Sequence, residues 1–184
     1  MKKVDFPIDK RKWHPGLIPG LIVLVSTYSK ESIPNIAPIS WIQMVSFKPP
    51  VLMFSGSRGS RTVNNILETN CFCVNTVDSK MVTKVFNCIK WFGQERIKKC
   101  GFNLSDAELI KAPLVDESRA HLKCTLYDTK EVGRAVIVFG EIKAASIWEE
   151  IALADTISAY KKLDQVLYME DGIYALFDRL HRIE

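Results

Sequence analysis

The sequence predicts a mainly β protein, an antiparallel barrel or sandwich, in a single domain over residues 1–184. Short apolar runs rich in Val, Ile, Phe and Cys recur at close intervals, and few helical patterns separate them. The sequence has no Gly-x-Gly-x-x-Gly fingerprint, which disfavours a parallel nucleotide-binding sheet. Its 184 residues suit one domain, and no Pro/Gly/Ser-rich linker or repeat divides them.

The first half of the chain reads as strands around one helix. Strand 21–28 ends in a polar turn and pairs as a hairpin with an extended segment over 35–44. After the Lys48-Pro49-Pro50 breaker, a third strand covers 50–54. The next helix carries apolar residues at helical spacing, and a strand over 71–77 follows it.

The second half begins with a helical stretch and returns to strands. Residues 81–88 have helical periodicity, and a charged segment follows at 94–99. The predicted strands are 120–127, 135–139 and, after Gly140, 141–146. The C-terminal part, 155–180, combines a short helix with a turn at Asp171-Gly172, and its aromatic residues are interpreted as packing.

Composition disfavours nucleic acid and membrane as partners. The net charge of +4 comes from 25 basic and 21 acidic residues, and the basic residues are scattered along the chain. The apolar stretch 17–25 is interrupted by Pro19-Gly20 and is far shorter than the ~20 residues of a membrane span. We interpret this stretch as the first strand.

Five cysteines, an odd number, argue against a disulfide framework and favour a reducing, cytoplasmic location. No Cys-x-x-Cys pair occurs and the histidines lie far apart in sequence, so no metal site is predicted. The sequence therefore predicts buried thiols. They are Cys71, Cys73, Cys88, Cys100 and Cys124.

Residues 56–66, GSRGSRTVNNI, have the pattern of an anion cradle between a strand and a helix. Glycine permits a backbone that exposes successive N–H groups, and a helix start leaves its first amides unpaired. The side-chain donors are Ser57, Arg58, Ser60, Arg61 and Thr62. The alternative is a solvated basic turn before a surface helix.

Several motifs in order carry a family resemblance. They are Asn35-Ile36-Ala37-Pro38-Ile39-Ser40-Trp41, Lys48-Pro49-Pro50, Ser55-Gly56-Ser57, Arg61-Thr62-Val63-Asn64-Asn65-Ile66 and Cys71-Phe72-Cys73-Val74-Asn75. Together they resemble the flavin reductase-like, FMN-binding split-barrel family, which includes flavoredoxin. The resemblance continues to Asp171-Gly172-Ile173-Tyr174 and covers most of the chain. It implies a split β-barrel of Greek-key type that forms a homodimer and holds FMN non-covalently near the subunit boundary.

The resemblance also implies roles for single residues. Ser57, Arg61 and Thr62 hold the FMN phosphate, and Ser55 and Gly56 line the approach. The residues that border the isoalloxazine ring and ribityl chain are Asn35, Ala37, Pro38, Ile39 and Ser40. The alternative interpretation of these five residues is a plain strand with one buried polar residue. Trp41 is either a core residue or a flavin contact.

The chain departs from many relatives at two places. Gly133-Arg134-Ala135 stands where many relatives have an Asp-His pair, so no histidine role is carried over. Arg96 stands where relatives often have a lysine near the flavin, and it keeps the charge but not the shape. We include Arg96 among the predicted cofactor-binding residues.

The implied function is an NAD(P)H-dependent flavin oxidoreductase that passes electrons through FMN to a second acceptor, namely free flavin, a ferric chelate or a protein. NAD(P)H binds transiently, because the chain lacks a nucleotide-binding fingerprint, and no catalytic side chain is assigned. One alternative is an FMN-binding electron carrier reduced by a protein donor. Another is a nucleic-acid-binding barrel, which the lack of interleaved aromatic and basic residues disfavours.

Overall fold

The structure, a computed structural model, describes residues 3–4, 18–91, 93–177 and 179–182. Leu17, the start of the predicted first strand, lies outside the described residues. The strands are β1 Gly20–Leu21, β2 Val23–Tyr28, β3 Pro34–Ile39, β4 Ile42–Phe47, β5 Pro50–Ser57, β6 Cys71–Thr76, β7 Leu104–Asp106, β8 Pro113–Val115, β9 Ala120–Val132, β10 Ala135–Ile147, β11 Val166–Glu170 and β12 Ile173–Leu176. The helices are α1 Arg61–Thr69, α2 Val82–Lys90, α3 Gly93–Cys100, α4 Glu149–Ala152 and α5 Thr156–Leu163, with a 3₁₀ turn at Ser79–Met81.

Seven strands form one antiparallel sheet in the order β3-β2-β6-β9-β10-β5-β4. The neighbours β2 and β6, and β10 and β5, are distant in sequence, so the chain crosses between strands as in a Greek key. Two small sheets, β1-β11-β12 and β7-β8, complete the described strands. The mainly β fold predicted from the sequence is confirmed.

Strand β2 is buried on both faces and separates two apolar clusters. Val23 and Val25 belong to an inner cluster with Phe54 and Phe72, which also receives Ile66 from helix α1. Leu24, on the opposite face, belongs to a cluster with residues of α2 and α3. Burying one such side chain contributes roughly 1.5–3 kcal/mol, so both clusters hold β2 and its neighbours in place.

The prediction of one extended segment over 35–44 was wrong, because these residues form two separate strands, β3 and β4. β3 pairs with β2, whereas β4 pairs with β5 at the other end of the sheet. Between them, the carbonyl of Trp41 accepts a hydrogen bond from the backbone N–H of Ser55 at 3.0 Å. The predicted hairpin of strand 21–28 with the segment that begins near Asn35 is present as β2 and β3.

The two predicted strands over 135–139 and 141–146 form the single strand β10. Gly140 does not end the strand, because it continues to pair with Leu126 and Leu52. A Cβ atom at Gly140 would lie only 2.3 Å from Cζ of Phe72. Close packing against that ring, not a turn, therefore requires glycine here.

The cysteine prediction is confirmed in part. Cys71, Cys73 and Cys124 are free and buried. Cys88 and Cys100 form a disulfide, so the expectation of thiols was wrong for them: α2 and α3 bring their Cα atoms within 5.3 Å. The cytoplasmic location, predicted from the odd number of cysteines, stays a prediction. None of the helices among the described residues has the length and apolar character needed to cross a membrane.

Candidate functional site

A cavity of about 1070 Å³ lies beside helix α1 and strand β3. It is lined also by the loop before α1, by the β2–β3 turn and by single residues of α2 and α3. Nine of the predicted site residues line it, namely Asn35, Ala37, Pro38, Ile39, Gly56, Ser57, Arg61, Thr62 and Arg96. Ser40 and Ser55, which were also predicted, are not among the lining residues.

The loop before α1 has the tight geometry that its glycines predict. The backbone N–H of Ser60 donates to the carbonyl of Ser57 at 3.0 Å, and Gly59 between them has φ of +73°. At Gly56, a Cβ atom would lie 2.7 Å from Cγ2 of Val63. Glycine at these positions lets the loop turn and lie close against the start of α1.

The start of α1 has features that would suit an anionic ligand. Ser60 is the N-cap, and its hydroxyl oxygen accepts from the backbone N–H of Val63 at 3.4 Å. The first turn carries no acidic residue and begins with Arg61. A cation there opposes the helix dipole, whereas a bound anion would complement both the dipole and the arginine.

Arg96 brings a second guanidinium group to the cavity from α3. Its Nε donates to the carbonyl of Trp91 and its Nη1 to the carbonyl of Ile36, each at 2.8 Å. Burial lowers the pKa of Arg96, and the positive charge of Arg61 lowers it further. Both effects disfavour the charged form, so an anion in the cavity would relieve part of this cost.

Arg58, the other arginine of the loop, has a different partner. Its Nη2 lies 2.5 Å from Oε2 of Glu131, and it does not line the cavity. The sequence pattern suggested Arg58 as a donor to the cradle, but in the structure it forms a surface ion pair outside it. Such exposed pairs contribute little to stability.

A buried network of four polar residues lies beside the cavity. Nδ2 of Asn35 donates to Oγ1 of Thr62 at 3.0 Å and to Oγ1 of Thr27 at 3.4 Å. Nδ2 of Asn65 also donates to Oγ1 of Thr27, at 2.9 Å. Asn35, Asn65 and Thr62 line the cavity, so this network links the sheet and α1 at the site.

The remaining wall is largely apolar. Ala37, Pro38 and Ile39 of β3 line the cavity together with Phe54 of β5. Phe54 packs against Phe72, with ring centroids 5.4 Å apart in an edge-to-face arrangement. A cavity with clustered cationic donors and an apolar wall suits a ligand with a phosphate and a flat ring system.

Some lining residues were not predicted from the sequence. Asn65 and Glu68 follow Arg61 and Thr62 at helical spacing, so the helical period could have indicated them. Ser29, Glu31 and Ile89 come from the β2–β3 turn and α2, and no sequence signal connects them to the loop. A hydrogen bond from Ser29 chiefly lowers the pKa of Glu31. In the described part of the chain, no group of three or more His, Cys, Asp or Glu residues is placed to hold a metal ion.

Comparisons with known proteins identify the family of the chain. A family model described as a flavin reductase like domain matches residues 16–175. An uncharacterized protein of Aquifex aeolicus is 35% identical over 132 residues, which cover 68% of this chain and 67% of that protein.

Solved structures extend the similarity to the fold. Nitrilotriacetate monooxygenase component B from Bacillus cereus superposes with a TM-score of 0.88 at 19% identity and covers 100% of both chains. Flavoredoxin from Methanosarcina acetivorans has a TM-score of 0.82 at 25% identity, over 100% of this chain and 95% of that one. The predicted split-barrel fold is confirmed.

Proposed function

The chain belongs to the flavin reductase-like domain family, and on that premise we propose that it is an FMN-binding oxidoreductase. In this proposal it takes electrons from NAD(P)H and passes them through non-covalently bound FMN to a second acceptor. The observation that carries the proposal is that Arg61 and Arg96 both line the cavity, together with Thr62 in the first turn of α1.

These donors fit the phosphate of FMN. Arg61 and Arg96 supply charge, Ser57 and Thr62 supply hydroxyl groups, and the first turn of α1 supplies backbone N–H groups. A phosphate dianion needs several donors at once, and the cavity offers them from two helices and one loop. The other end of the ligand would lie against the apolar wall of Ala37, Pro38 and Ile39.

When bound, FMN supplies the redox chemistry, because its ring accepts a hydride from a nicotinamide and gives up electrons to an acceptor. The protein's part is to bind the phosphate, orient the ring and leave one face accessible. No side chain is assigned a proton transfer or a nucleophilic role. The donor and the acceptor, which is free flavin, a ferric chelate or a protein, would use the same open face in turn.

An FMN-binding electron carrier is the second candidate. The similarity to flavoredoxin over the whole chain favours it, because that protein's name denotes a redox carrier. In this reading a protein donor reduces the bound FMN, and nicotinamide reacts poorly. Both candidates use the same phosphate and ring contacts, so the identity of the electron donor separates them.

We further propose that the functional unit is a homodimer. Strand β4 is at an end of the seven-stranded sheet, and it and the preceding residue expose large apolar side chains. The exposed fraction is 56% for Trp41 and 84% for Phe47. An exposed apolar edge strand favours association with another chain, and we propose that a second copy of this chain covers it in a symmetric dimer.

The deciding experiment is spectroscopic. The purified protein, with FMN added if needed, is expected to show bound flavin absorbance, and NADH or NADPH without oxygen is expected to bleach it. Bleaching only by a reduced protein donor would select the electron carrier. A protein that takes up no FMN would refute both candidates.

A further inference from the structure

The hydroxyl group of Thr62 lies between the buried polar network and the cavity. Its oxygen accepts a hydrogen bond from Nδ2 of Asn35 at 3.0 Å. A hydroxyl has one hydrogen to donate, and this contact does not use it. Among the described residues no side chain or carbonyl accepts that hydrogen, and Thr62 lines the cavity. The hydrogen is therefore available to a ligand.

The orientation of the Asn35 amide is fixed from its other side. Its second N–H donates to Oγ1 of Thr27, and the same oxygen accepts from Asn65. Thr27, Asn35, Asn65 and Thr62 are each at most 5% exposed. A buried donor left without a partner costs about 1–3 kcal/mol, so the amide keeps its N–H groups on the two threonine oxygens.

We propose that Asn35 is a positioning residue that fixes the Thr62 hydroxyl as a hydrogen-bond donor to the FMN phosphate, with Thr27 and Asn65 holding the Asn35 amide in place. The inference rests on the proposed FMN site and gives Asn35 a more specific role than bordering the ring. In this role Asn35 affects only the phosphate contact. Its substitution should therefore change the affinity for FMN but not for riboflavin, which has the same ring without the phosphate.

Binding of FMN and of riboflavin to the full chain tests this proposal. Thr62→Val removes the donor at nearly constant size, so FMN should bind about tenfold more weakly or worse, as expected for a hydrogen bond to a charged group. Riboflavin affinity should stay unchanged. Thr62→Ser keeps the hydroxyl and should retain FMN affinity.

Asn35→Asp tests the positioning step. An ionised carboxylate only accepts hydrogen bonds, so the Thr62 hydroxyl would donate to it and turn away from the phosphate. FMN affinity should fall about tenfold or more, and riboflavin affinity should not. Lowering the pH should restore FMN binding relative to the unmodified protein, because a protonated carboxyl group can again donate. Adding Thr62→Val to Asn35→Asp should lower FMN affinity little further, because the Thr62 hydroxyl no longer donates to the phosphate.

Two results would overturn the inference. The first is that Asn35→Asp weakens riboflavin binding as much as FMN binding. The second is that Thr62→Val lowers FMN affinity by the same factor whether or not Asn35→Asp is present. Circular dichroism checks that Asn35→Asp folds, and Asn35→Leu replaces it if it does not. Asn35→Leu is expected to weaken FMN binding and leave riboflavin binding intact. An equal loss of affinity for both flavins would contradict the inference. An unmodified protein that binds neither flavin would refute the proposed function itself, and this inference with it.

Discussion

Arg61 and Arg96 present guanidinium groups from two different helices to one cavity, and the charge of Arg61 adds to burial in lowering the pKa of Arg96. Arg61 at the start of α1 opposes the helix dipole, and its charge disfavours the charged form of Arg96, whose hydrogen bonds to two backbone carbonyls offset part of that cost. An anionic ligand changes the balance, because it lies close to both charges and to the helix dipole. This relationship is the physical basis for the proposed phosphate contact.

Replacing Arg61 by alanine should weaken FMN binding without unfolding the protein. The substitution removes a charge-assisted contact and no buried apolar volume, so a loss of about 1.5–3 kcal/mol is expected. Isothermal titration measures the affinity, and a thermal melt checks the fold. Arg58→Ala is the matched control, because Arg58 pairs with Glu131 outside the cavity and should leave FMN affinity intact. Unchanged FMN affinity in Arg61→Ala would disprove the phosphate assignment.

Phe47→Glu should convert the proposed homodimer to a monomer. A carboxylate in place of an apolar contact would be buried at the interface without a partner, which is costly. Light scattering of the purified protein gives the mass. Leu153→Glu is the control, because Leu153, the C-cap residue of α4, is 79% exposed and is not part of β4, so this substitution should leave the mass unchanged. An unmodified protein that is a monomer and still binds FMN at full stoichiometry would contradict the proposed assembly.

Steady-state kinetics should follow a ping-pong pattern. The donor and the acceptor are expected to take turns at one open flavin face, so the enzyme is reduced before the second substrate binds. Rates measured while NADH or NADPH is varied against free flavin or a ferric chelate should give parallel double-reciprocal lines. Intersecting lines would indicate a ternary complex with a separate acceptor site.

Stability at alkaline pH should report on the buried thiol of Cys73. Burial raises its pKa from 9.0 to about 12, partly offset by the charge of Lys123. The unfolded chain releases this proton first, so the free energy of unfolding should fall as pH rises from about 9 to 12 and be unaffected by this thiol below pH 9. Denaturant unfolding across this range measures the slope. Cys73→Ala should make the slope shallower than in the unmodified protein, and an equal slope in both would count against the prediction.

The sequence by itself determined the features that depend on local chemistry. Short apolar runs predicted most strands of the large sheet, and the glycine- and serine-rich stretch before Arg61 predicted the tight loop into α1, because turn geometry and helix capping involve neighbours along the chain. The strands β7, β8, β11 and β12 were not predicted. β7 and β8 have three residues each, too few to show a strand pattern, whereas β11 and β12 flank the Asp171-Gly172 turn, a hairpin signal that was interpreted only as a turn.

Only the tertiary structure decided the features that depend on contacts between distant segments. It carries the chain from β3 to the far end of the sheet as β4, and it joins Cys88 to Cys100. It also brings Arg96 to the carbonyl of Ile36 and turns the Asn35 amide onto Thr62. The physical reason is that a hydrogen bond or a packed contact depends on positions in space, and segments far apart in sequence reach those positions only when the sheet and helices have packed.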